Sequence, residues 1–394
     1  MKSGMWKVLS LTPALLLAGC KGFWDLPATT TTPPPTTLSS GVFYVLNQTA
    51  GQIVAYDISS GTLNKIGAYA IAGPNAIAIA PNGNFLYVST LASGIFVYDI
   101  GSGGALTVGN GGQAISGDPA LATEVDKTSS WLIDAFVNAN GQVQLDAIPL
   151  NSSGTYTSGA SVPSVSFSVT NATVKQMALS GDNSYVFVAL GSGGTIAVPF
   201  SSGSSNPLGS TAKTISVANS GGSALSVAVD PSSTPRLFYI GETLANSTGN
   251  SGGLRVFNYS SLSSGTLTQA SGSPIASGGL APNAILPISS GNYVYVGNGA
   301  GNTASGNIAW FPITASGTTY TVAAGSTITA GIQPMGLAED SEGNFVLAVA
   351  TGGSTSSGNP DLEAYTMSSG ALTAAITSTT GTDPVGAVAV AALP

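Results

Sequence analysis

Short apolar runs separated by polar turns fill most of the chain, and residues 73–106 show the pattern most clearly. There, runs of apolar and β-branched residues are divided by turns rich in Gly, Asn, Ser and Pro. Runs of this length predict β-strands rather than helices. The turn Pro81-Asn82-Gly83-Asn84 would reverse the chain between the first two strands, because Asn-Gly tolerates positive φ. The stretch therefore predicts an antiparallel meander of four strands.

The second strand of this unit recurs as an aromatic and β-branched run behind a polar turn, and we call each copy a marker strand. Seven copies can be counted, at residues 42–45, 85–88, 131–133, 185–188, 237–240, 293–296 and 345–347. They follow one another at steps of 43 to 56 residues. Blades of a β-propeller repeat at roughly 40 to 50 residues, whereas β-solenoid coils are much shorter. The spacing favours a propeller with seven blades.

The two ends of the repeating region complete each other. Each marker strand needs an inner strand before it, and the inner strands are predicted to begin at Asn75, Pro119, Lys175, Ala224, Asn283, Pro334 and Pro384. The first marker strand has no inner strand before it, and the last inner strand has no marker strand after it. Joining the two closes the ring and removes the open sheet edges. The predicted fold is all-β: residues 41–394 form a seven-bladed propeller of four-stranded antiparallel blades, closed by the C-terminal strand.

The first nineteen residues are typical of a secretory signal. Lys2 and Lys7 precede an apolar run over residues 8–17, which is too short to remain as a membrane-spanning helix. Leu17-Ala18-Gly19-Cys20 resembles the bacterial lipobox, which would make Cys20 the lipidated first residue of the mature chain. The alternative is a small buried cysteine behind an uncleaved leader. Cys20 is the one cysteine of the sequence, so an intrachain disulfide is excluded.

Residues 20–40 predict a tether between the lipid and the propeller. The segment is rich in Pro and Thr, and about twenty extended residues reach roughly 60 Å. Its alternative interpretation is a ligand for a proline-recognition domain. With the leader, it predicts a protein exported to the bacterial cell envelope and held at a membrane by its lipid. Lys21 after the lipidated cysteine favours the outer membrane.

Composition narrows the classes of partner. Charged residues make up 7% of the chain and apolar residues 43%, which suits an exported β-protein with a large core. The formal net charge is −8, and removal of Lys2 and Lys7 with the leader takes it to −10. No basic stripe is present, so nucleic acid is not an expected partner. We expect a monomer.

Residues 42–393 resemble the seven-bladed lactonase-type propeller family, through copies such as Pro-Asn-Ala-Ile-Ala-Ile-Ala-Pro-Asn-Gly-Asn-Phe-Leu-Tyr-Val at residues 74–88 and Ile-Phe-Val-Tyr-Asp-Ile at 95–100. The family has 6-phosphogluconolactonase-like and cycloisomerase-like members. The resemblance implies opening of a lactone, and cycloisomerase-like relatives place a His, a Glu and arginines at the channel mouth. This chain has no histidine. Its only arginines are Arg236 and Arg255, so a phosphorylated lactone is disfavoured.

Seven residues are candidates for ligand binding at the end of the propeller where the inner strands begin, which we call the top face. Lys175 and Arg255 could hold a carboxylate, or could be isolated solvated charges. Asn75, Asp118, Asn283, Gln333 and Asp383 lie next to Pro at predicted inner-strand entries. They could ring the channel and bind a ligand or calcium, since hard cations prefer several oxygen ligands. Alternatively they are ordinary turn residues. No cofactor other than calcium is expected.

Three long connections between second and third strands, at residues 241–253, 297–306 and 351–360, should also reach the top face. Their Gly, Ser, Thr and Asn content suits a polar ligand such as a glycan, although neutral drift would give the same content. The sequence therefore predicts a binding or interaction module for a glycan, a small molecule or an envelope protein. The alternatives are a lactone hydrolase that works without a histidine base, and a purely structural envelope protein.

Overall fold

The computed structural model describes residues 41–58, 62–231, 234, 236–249, 251–299, 305–316, 319–353, 358, 360–378 and 382–394. The predicted leader, Cys20 and the tether lie outside these residues, as do parts of the three long connections. The described chain forms seven antiparallel sheets arranged as the blades of a propeller. The prediction of seven blades is confirmed.

The first three blades each contain four strands. Blade 1 contains β1 (Val42–Asn47), β2 (Gln52–Asp57) and β3 (Asn64–Ala70), and takes its inner strand from the C terminus. Blade 2 contains β4 (Pro74–Ile79), β5 (Phe85–Thr90), β6 (Gly94–Ile100) and β7 (Leu106–Val108). Blade 3 contains β8 (Ala122–Val125), β9 (Trp131–Val137), β10 (Val143–Pro149) and β11 (Ser164–Phe167).

The next four blades repeat the meander, and two of them add a short fifth strand. Blade 4 contains β12 (Gln176–Leu179), β13 (Tyr185–Ala189), β14 (Thr195–Pro199) and β15 (Lys213–Ile215). Blade 5 contains β16 (Ala224–Val229), β17 (Leu237–Glu242), β18 (Gly253–Asn258), β19 (Thr268–Gln269) and β20 (Ile275–Ala276). Blade 6 contains β21 (Ala281–Pro287), β22 (Tyr293–Gly299), β23 (Asn307–Ser316), β24 (Thr319–Val322) and β25 (Thr327–Thr329). Blade 7 contains β26 (Gln333–Glu339), β27 (Phe345–Thr351), β28 (Leu362–Ser368) and β29 (Ala371–Thr377).

The ring closes through the last strand, β30 (Ala387–Ala392). It pairs antiparallel with β1, so that Phe43 lies opposite Ala392 and Asn47 lies opposite Ala387. The C-terminal strand is therefore the inner strand of the N-terminal blade, as predicted. Three single-turn 3-10 helices are the helical segments of the described residues: Ser102–Gly104, Asn110–Gly112 and Leu262–Ser264.

The marker strands explain why neighbouring blades pack so closely. Their central residues are buried, and three of their tyrosines donate a hydrogen bond to a glycine carbonyl of the next blade. The pairs are Tyr44 with Gly104 at 3.0 Å, Tyr87 with Gly154 at 2.9 Å and Tyr295 with Gly370 at 3.2 Å. Each glycine has positive φ, and a Cβ there would come within 2.6 Å of a marker-strand side chain. In blade 4 Phe187 replaces the tyrosine and stacks on Phe238 at 4.2 Å between ring centroids. The repeated aromatic position therefore joins one blade to the next.

Three inner strands begin later than predicted. β8 begins at Ala122 rather than Pro119, β30 at Ala387 rather than Pro384, and β12 one residue after Lys175. In blades 2, 6 and 7 the strand includes its proline because a bulge follows, as between Pro74 and Ala76. The pairing of β8 with β9 has no such bulge and starts only at Ala122 opposite Ala135. This shift of three residues matters for the functional site, because it changes which side chains of blade 3 belong to the inner strand.

Candidate functional site

The inner strands of all seven blades surround a central channel of about 510 Å³. Most of the residues that line it are aliphatic, such as Leu225, Met335 and Val390, but polar backbone and side-chain atoms make up the larger part of the accessible wall. Its larger polar side chains come from five blades: Gln48, Asn75, Glu124, Lys175, Gln176 and Asn283. A concave site with a few polar groups is the usual setting for small-molecule binding. The channel is therefore the candidate functional site.

Three of the six polar side chains hold neighbouring blades together. Gln48 Nε2 donates to the Pro74 carbonyl at 3.1 Å, and Asn75 Nδ2 donates to the Leu121 carbonyl at 2.9 Å. Gln176 Oε1 accepts a hydrogen bond from the backbone N–H of Val227 at 3.2 Å. Each side-chain amide thus forms a hydrogen bond with a backbone N–H or C=O of the next blade. Inner strands of neighbouring blades do not pair with each other, so that backbone group would otherwise lack a partner. These residues have a structural role at the channel wall.

The side chains of Glu124, Lys175 and Asn283 make no hydrogen bond to any described residue. Glu124 lies in β8 of blade 3, Lys175 just before β12 of the adjacent blade 4, and Asn283 in β21. Lys175 is exposed, and the other two are partly buried. The channel therefore contains one carboxyl, one ammonium and one amide whose hydrogen-bonding groups are available to a ligand.

Glu124 stands out when the blades are compared in register. It pairs with Ile133 of its marker strand. The residues that occupy the same position in the other six blades are small or aliphatic: Ala78, Ala178, Ala228, Leu286, Ala338 and Ala391. Small residues suit this position because the inner strands converge on the axis. A glutamate in their place extends its carboxyl into the channel.

Burial raises the pKa of Glu124 from 4.5 to about 8. The side chain is only partly screened from water, and its exposed part faces the channel lumen rather than the outer surface. Desolvation disfavours the charged carboxylate, and no described hydrogen-bond donor compensates for it. A carboxyl group with a pKa near neutrality can exchange a proton with a reacting group at physiological pH.

Of the predicted ligand-binding residues, Asn75, Lys175 and Asn283 line the channel. Asp118, Arg255, Gln333 and Asp383 are not among the described lining residues. Asp118 is exposed in the connection before β8, and its N–H donates to Ser116 Oγ at 3.3 Å. Of the five side chains predicted to ring the channel, the described lining thus contains Asn75 and Asn283.

Arg255 and Asp383 have partners elsewhere. Arg255 Nη1 lies 2.8 Å from Glu242 Oε1, and its guanidinium lies over the ring of Phe257. Asp383 Oδ1 accepts hydrogen bonds from the Asp361 N–H at 2.9 Å and from Ser378 Oγ at 2.5 Å. Arg255 and Lys175 thus do not form one site. Among the described residues, no three His, Cys, Asp or Glu side chains are arranged to hold a metal ion.

The sequence analysis did not single out Glu124, because it placed the start of the blade 3 inner strand at Pro119 and did not align the residues of that strand with those of the other blades. The available signal was the equivalence of Ile133 with the marker tyrosines, which places Glu124 opposite it where other blades carry alanine. Blade 3 lacks the Pro-Asn-Ala start that identifies β4, so composition did not reveal the correct register.

The described residues contain no helix with the length and apolar character needed to cross a bilayer. A search of curated protein sequences finds no significant match to the chain.

Solved structures with a similar fold include proteins named for lactone chemistry. A putative 6-phosphogluconolactonase from Bacteroides fragilis is 14% identical with a TM-score of 0.66, covering 91% of this chain and 99% of that one. A periplasmic gluconolactonase from Pseudomonas aeruginosa is 16% identical with a TM-score of 0.64, covering 90% and 99%. The hydrazine synthase of Kuenenia stuttgartiensis also matches, at 13% identity and a TM-score of 0.59, covering 87% and 99%. At these identities the likeness shows the fold alone.

The sequence profile of one family, described as lactonase, 7-bladed beta-propeller, matches residues 44–385. That range runs from the first marker strand to the residues just before the closing strand, so it takes in all seven blades. The chain therefore belongs to the family of seven-bladed β-propeller lactonases.

Proposed function

We propose that the protein hydrolyses a lactone in its central channel, with Glu124 as the general base. The observation that carries this proposal is the single ionisable carboxyl at a position where the other blades place small or aliphatic residues. Its pKa of about 8 makes it a stronger base than an ordinary glutamate. Family membership and the names of the similar structures support the reaction class. This route needs no histidine, and the chain has none.

In the proposed reaction the ionised Glu124 takes a proton from water as the water oxygen bonds to the lactone carbonyl carbon. The carbonyl π electrons move onto oxygen and form a tetrahedral alkoxide. The Lys175 ammonium lines the same channel and would stabilise this developing negative charge. The alkoxide then re-forms the carbonyl as the ring C–O bond breaks. The departing ring oxygen takes the proton from Glu124, so the product is the open hydroxy acid and the base is regenerated.

The substrate we propose is a lactone without a phosphate group. Lys175 is the one cationic side chain among the described lining residues. Both arginines are paired elsewhere, Arg255 with Glu242 and Arg236 with Asp182, each at 2.8 Å. A phosphate dianion is usually held by two or more cations or by bidentate arginine. Asn283 and Lys175 can instead donate hydrogen bonds to the hydroxyl groups of an uncharged sugar lactone.

The test is a panel assay with the purified protein, using δ-gluconolactone, its 6-phosphate and small γ- and δ-lactones. We expect ring opening above the spontaneous rate, with kcat/KM higher for δ-gluconolactone than for its phosphate. A fall in kcat of about 100-fold or more in Glu124→Gln would assign the activity to the channel. A kcat equal to that of the unmodified protein would contradict the role of Glu124. Binding of lactone without turnover by the unmodified protein would instead support the non-enzymatic binding module predicted from the sequence.

We also propose that the protein works outside the cytoplasm, attached to a membrane by a lipid on Cys20. This rests on the leader and on the Leu17-Ala18-Gly19-Cys20 motif. The similar gluconolactonase of Pseudomonas aeruginosa is described as periplasmic. Metabolic labelling with a radioactive fatty acid should mark the unmodified protein and not Cys20→Ala. Equal labelling of both proteins would contradict lipidation at this residue.

A further inference from the structure

Blade 3 carries a second departure from the repeat, in a row of polar residues that crosses all four of its strands. Thr123 of β8 lies opposite Asp134 of β9, which lies opposite Asp146 of β10. Ser164 of β11 lies opposite Asp146 at the outer end of the row and is exposed. The residues equivalent to Asp134 in the other six blades are all apolar: Val45, Val88, Val188, Ile240, Val296 and Ala348. The fold therefore does not require a carboxyl at this position.

Two acids face each other inside this row. Asp134 is fully buried, and neither of its carboxylate oxygens has a hydrogen-bond partner among the described residues. Asp146 is 6% exposed, and its Oδ1 accepts one hydrogen bond from Gln144 Nε2 at 2.9 Å. Both acids lie on the face of blade 3 that carries Leu132 and Ile148, which pack in the core shared with blade 2. Directly opposite residues of an antiparallel pair have Cβ atoms about 5 Å apart, so two ionised carboxylates here would repel each other and lose hydration.

The position of Asp146 holds a charged residue in two other blades, and both of those residues have partners. Arg255 of blade 5 forms an ion pair with Glu242 at 2.8 Å. Glu363 of blade 7 accepts a hydrogen bond from the Tyr365 hydroxyl at 2.7 Å. The residues opposite them in the marker strands are apolar: Ile240 and Ala348. A pair of acids that face each other in this row is therefore particular to blade 3.

The surroundings of the acid pair supply no counter-charge. None of the described Lys and Arg side chains forms an ion pair with either acid. From blade 2 the packed side chains are apolar apart from Tyr87, whose hydroxyl donates to a backbone carbonyl, and Asp99 of β6 is exposed. Burial and the charges of Asp146 and the exposed Asp118 raise the pKa of Asp134 well above its usual value of 3.8, and the backbone N–H of Asp146 opposes them only in part. A proton is therefore the available means of neutralising the pair.

We propose that the interface between blades 2 and 3 is a pH-sensitive joint, closed while Asp134 and Asp146 share one proton and loosened when both are ionised. In the closed state one carboxyl donates a hydrogen bond to the other, and the pair carries a single negative charge. The proton leaves to solvent at the outer end of the row, where Ser164 is exposed. Its loss leaves two facing negative charges in the core that blade 3 shares with blade 2. The joint does not depend on the proposed reaction, because Glu124 follows Thr123 and faces the other side of β8.

The experiment compares thermal unfolding of the unmodified full-length protein and Asp134→Val at a series of pH values from 5 to 9. A carboxyl whose pKa is raised by folding stabilises the protein fully below its unfolded pKa, and this contribution is lost as pH rises through the folded pKa. Asp134→Val introduces the residue of four other blades, so it should fold. Both proteins keep Glu124, so the difference between their Tm values isolates the acid pair. We expect the Tm of Asp134→Val to be higher by about 5 °C at pH 8 and by less at pH 5.

Two further variants and a local measurement sharpen the test. Asp134→Asn can donate a hydrogen bond to Asp146 but has no proton to lose at these pH values, so its Tm should follow that of Asp134→Val across the series. Asp99→Asn removes an exposed carboxylate of blade 2 and should respond to pH like the unmodified protein. Hydrogen exchange followed by mass spectrometry locates the loosening. Protection of β8 and β9, corrected for the intrinsic pH dependence of exchange, should fall at least tenfold from pH 6 to pH 9 in the unmodified protein and not in Asp134→Asn.

Three results would overturn the proposal. If the difference in Tm between Asp134→Val and the unmodified protein is the same at every pH, the pair loses no proton in this range. If Asp99→Asn changes the response to pH as much as Asp134→Val, total charge and not the facing acids sets the response. If Asp134→Val fails to fold, Asp134→Asn decides, because it keeps the size of the side chain: a response to pH equal to that of the unmodified protein would contradict the joint.

Discussion

Blades 2 and 3 have the same strand order and the same antiparallel pairing, yet they differ in two rows of residues that cross the inner strand and the marker strand. In blade 2 the row through Ala78 and the row through Val88 are apolar. In blade 3 the equivalent positions hold Glu124 and Asp134. Burying carboxyl groups costs stability, and nothing in the packing of blade 2 suggests that the fold gains from them. The difference teaches that the residues common to all blades stabilise the fold. Polar residues that break the repeat are candidates for a functional role.

The largest expected effect comes from replacing the carboxyl of Glu124, the residue in which blade 3 differs from blade 2 at this position. Glu124→Gln keeps the shape of the side chain but cannot accept a proton from water, so kcat for lactone opening should fall about 10²- to 10⁴-fold. Steady-state kinetics and circular dichroism measure activity and fold in parallel. The matched control is Glu342→Gln, which changes an exposed glutamate at the β26–β27 turn and should leave kcat unchanged. Equal loss in both variants would contradict a specific role for Glu124.

The second prediction is that Glu124 makes the free energy of unfolding depend on pH. Because the pKa of Glu124 is about 8 in the folded chain and 4.5 normally, its contribution is complete below pH 4.5 and is lost as pH rises to 8. A pKa shift of this size corresponds to a loss of at most about 5 kcal/mol in the free energy of unfolding. Water in the channel will reduce the loss to a few kcal/mol. Burial also raises the pKa of Asp361, from 3.8 to about 6, so ionisation of this group lowers the free energy of unfolding mainly below pH 6.

Denaturant unfolding at several pH values measures this effect. Between pH 6 and pH 8 the free energy of unfolding should fall more steeply for the unmodified protein than for Glu124→Gln, which keeps other buried carboxyls with a raised pKa, such as Asp134. Parallel curves for the two proteins in this window would show that Glu124 titrates normally.

A third test moves the carboxyl to the next blade. Ala178 is the equivalent of Glu124 in blade 4, but it is buried in a core with Phe187 and Phe238. Ala178→Glu should therefore destabilise the protein by about 3 kcal/mol, because an unpaired carboxyl enters an apolar interface. Combining it with Glu124→Gln should not restore activity. Thermal unfolding and the lactone assay measure the two effects, and restored turnover would show that any blade can supply the base.

The smallest effect concerns Lys175, which we expect to stabilise the alkoxide. Lys175→Met should lower kcat/KM about tenfold and leave stability unchanged, since the side chain is exposed and has no described partner. Lys213→Met, at an exposed position of β15, is the control. If both variants match the unmodified protein, the channel stabilises negative charge by other groups.

The fold could be predicted from the sequence because seven similar strands repeat at a nearly constant spacing and the two chain ends complement each other. The site could not be predicted to the same depth. The sequence identifies Asn75 as polar and near the channel, but it does not reveal that its amide donates to the Leu121 carbonyl of the next blade. Arg255 was separated from its partner Glu242 by a long connection, so the pairing follows only from the register of β17 and β18.

Glu124 illustrates the same limit. The inner strand predicted from Pro119 gives no residue-by-residue register, and the difference between Glu124 and its counterparts becomes visible only when all seven blades are aligned by their pairing. Its raised pKa also depends on the channel that the other six blades build around it. Local sequence patterns carry no information about that environment.

The central claim is that blade 3 places one carboxyl in the channel with a pKa far above that of an ordinary glutamate. The most direct measurement is a pH titration of the glutamate carboxyl carbons by NMR in protein labelled at glutamate, with Glu124→Gln used to assign the resonance. We predict a carboxyl that titrates near pH 8 in the unmodified protein and is missing from the variant. A resonance for Glu124 that titrates near pH 4.5 would contradict the account.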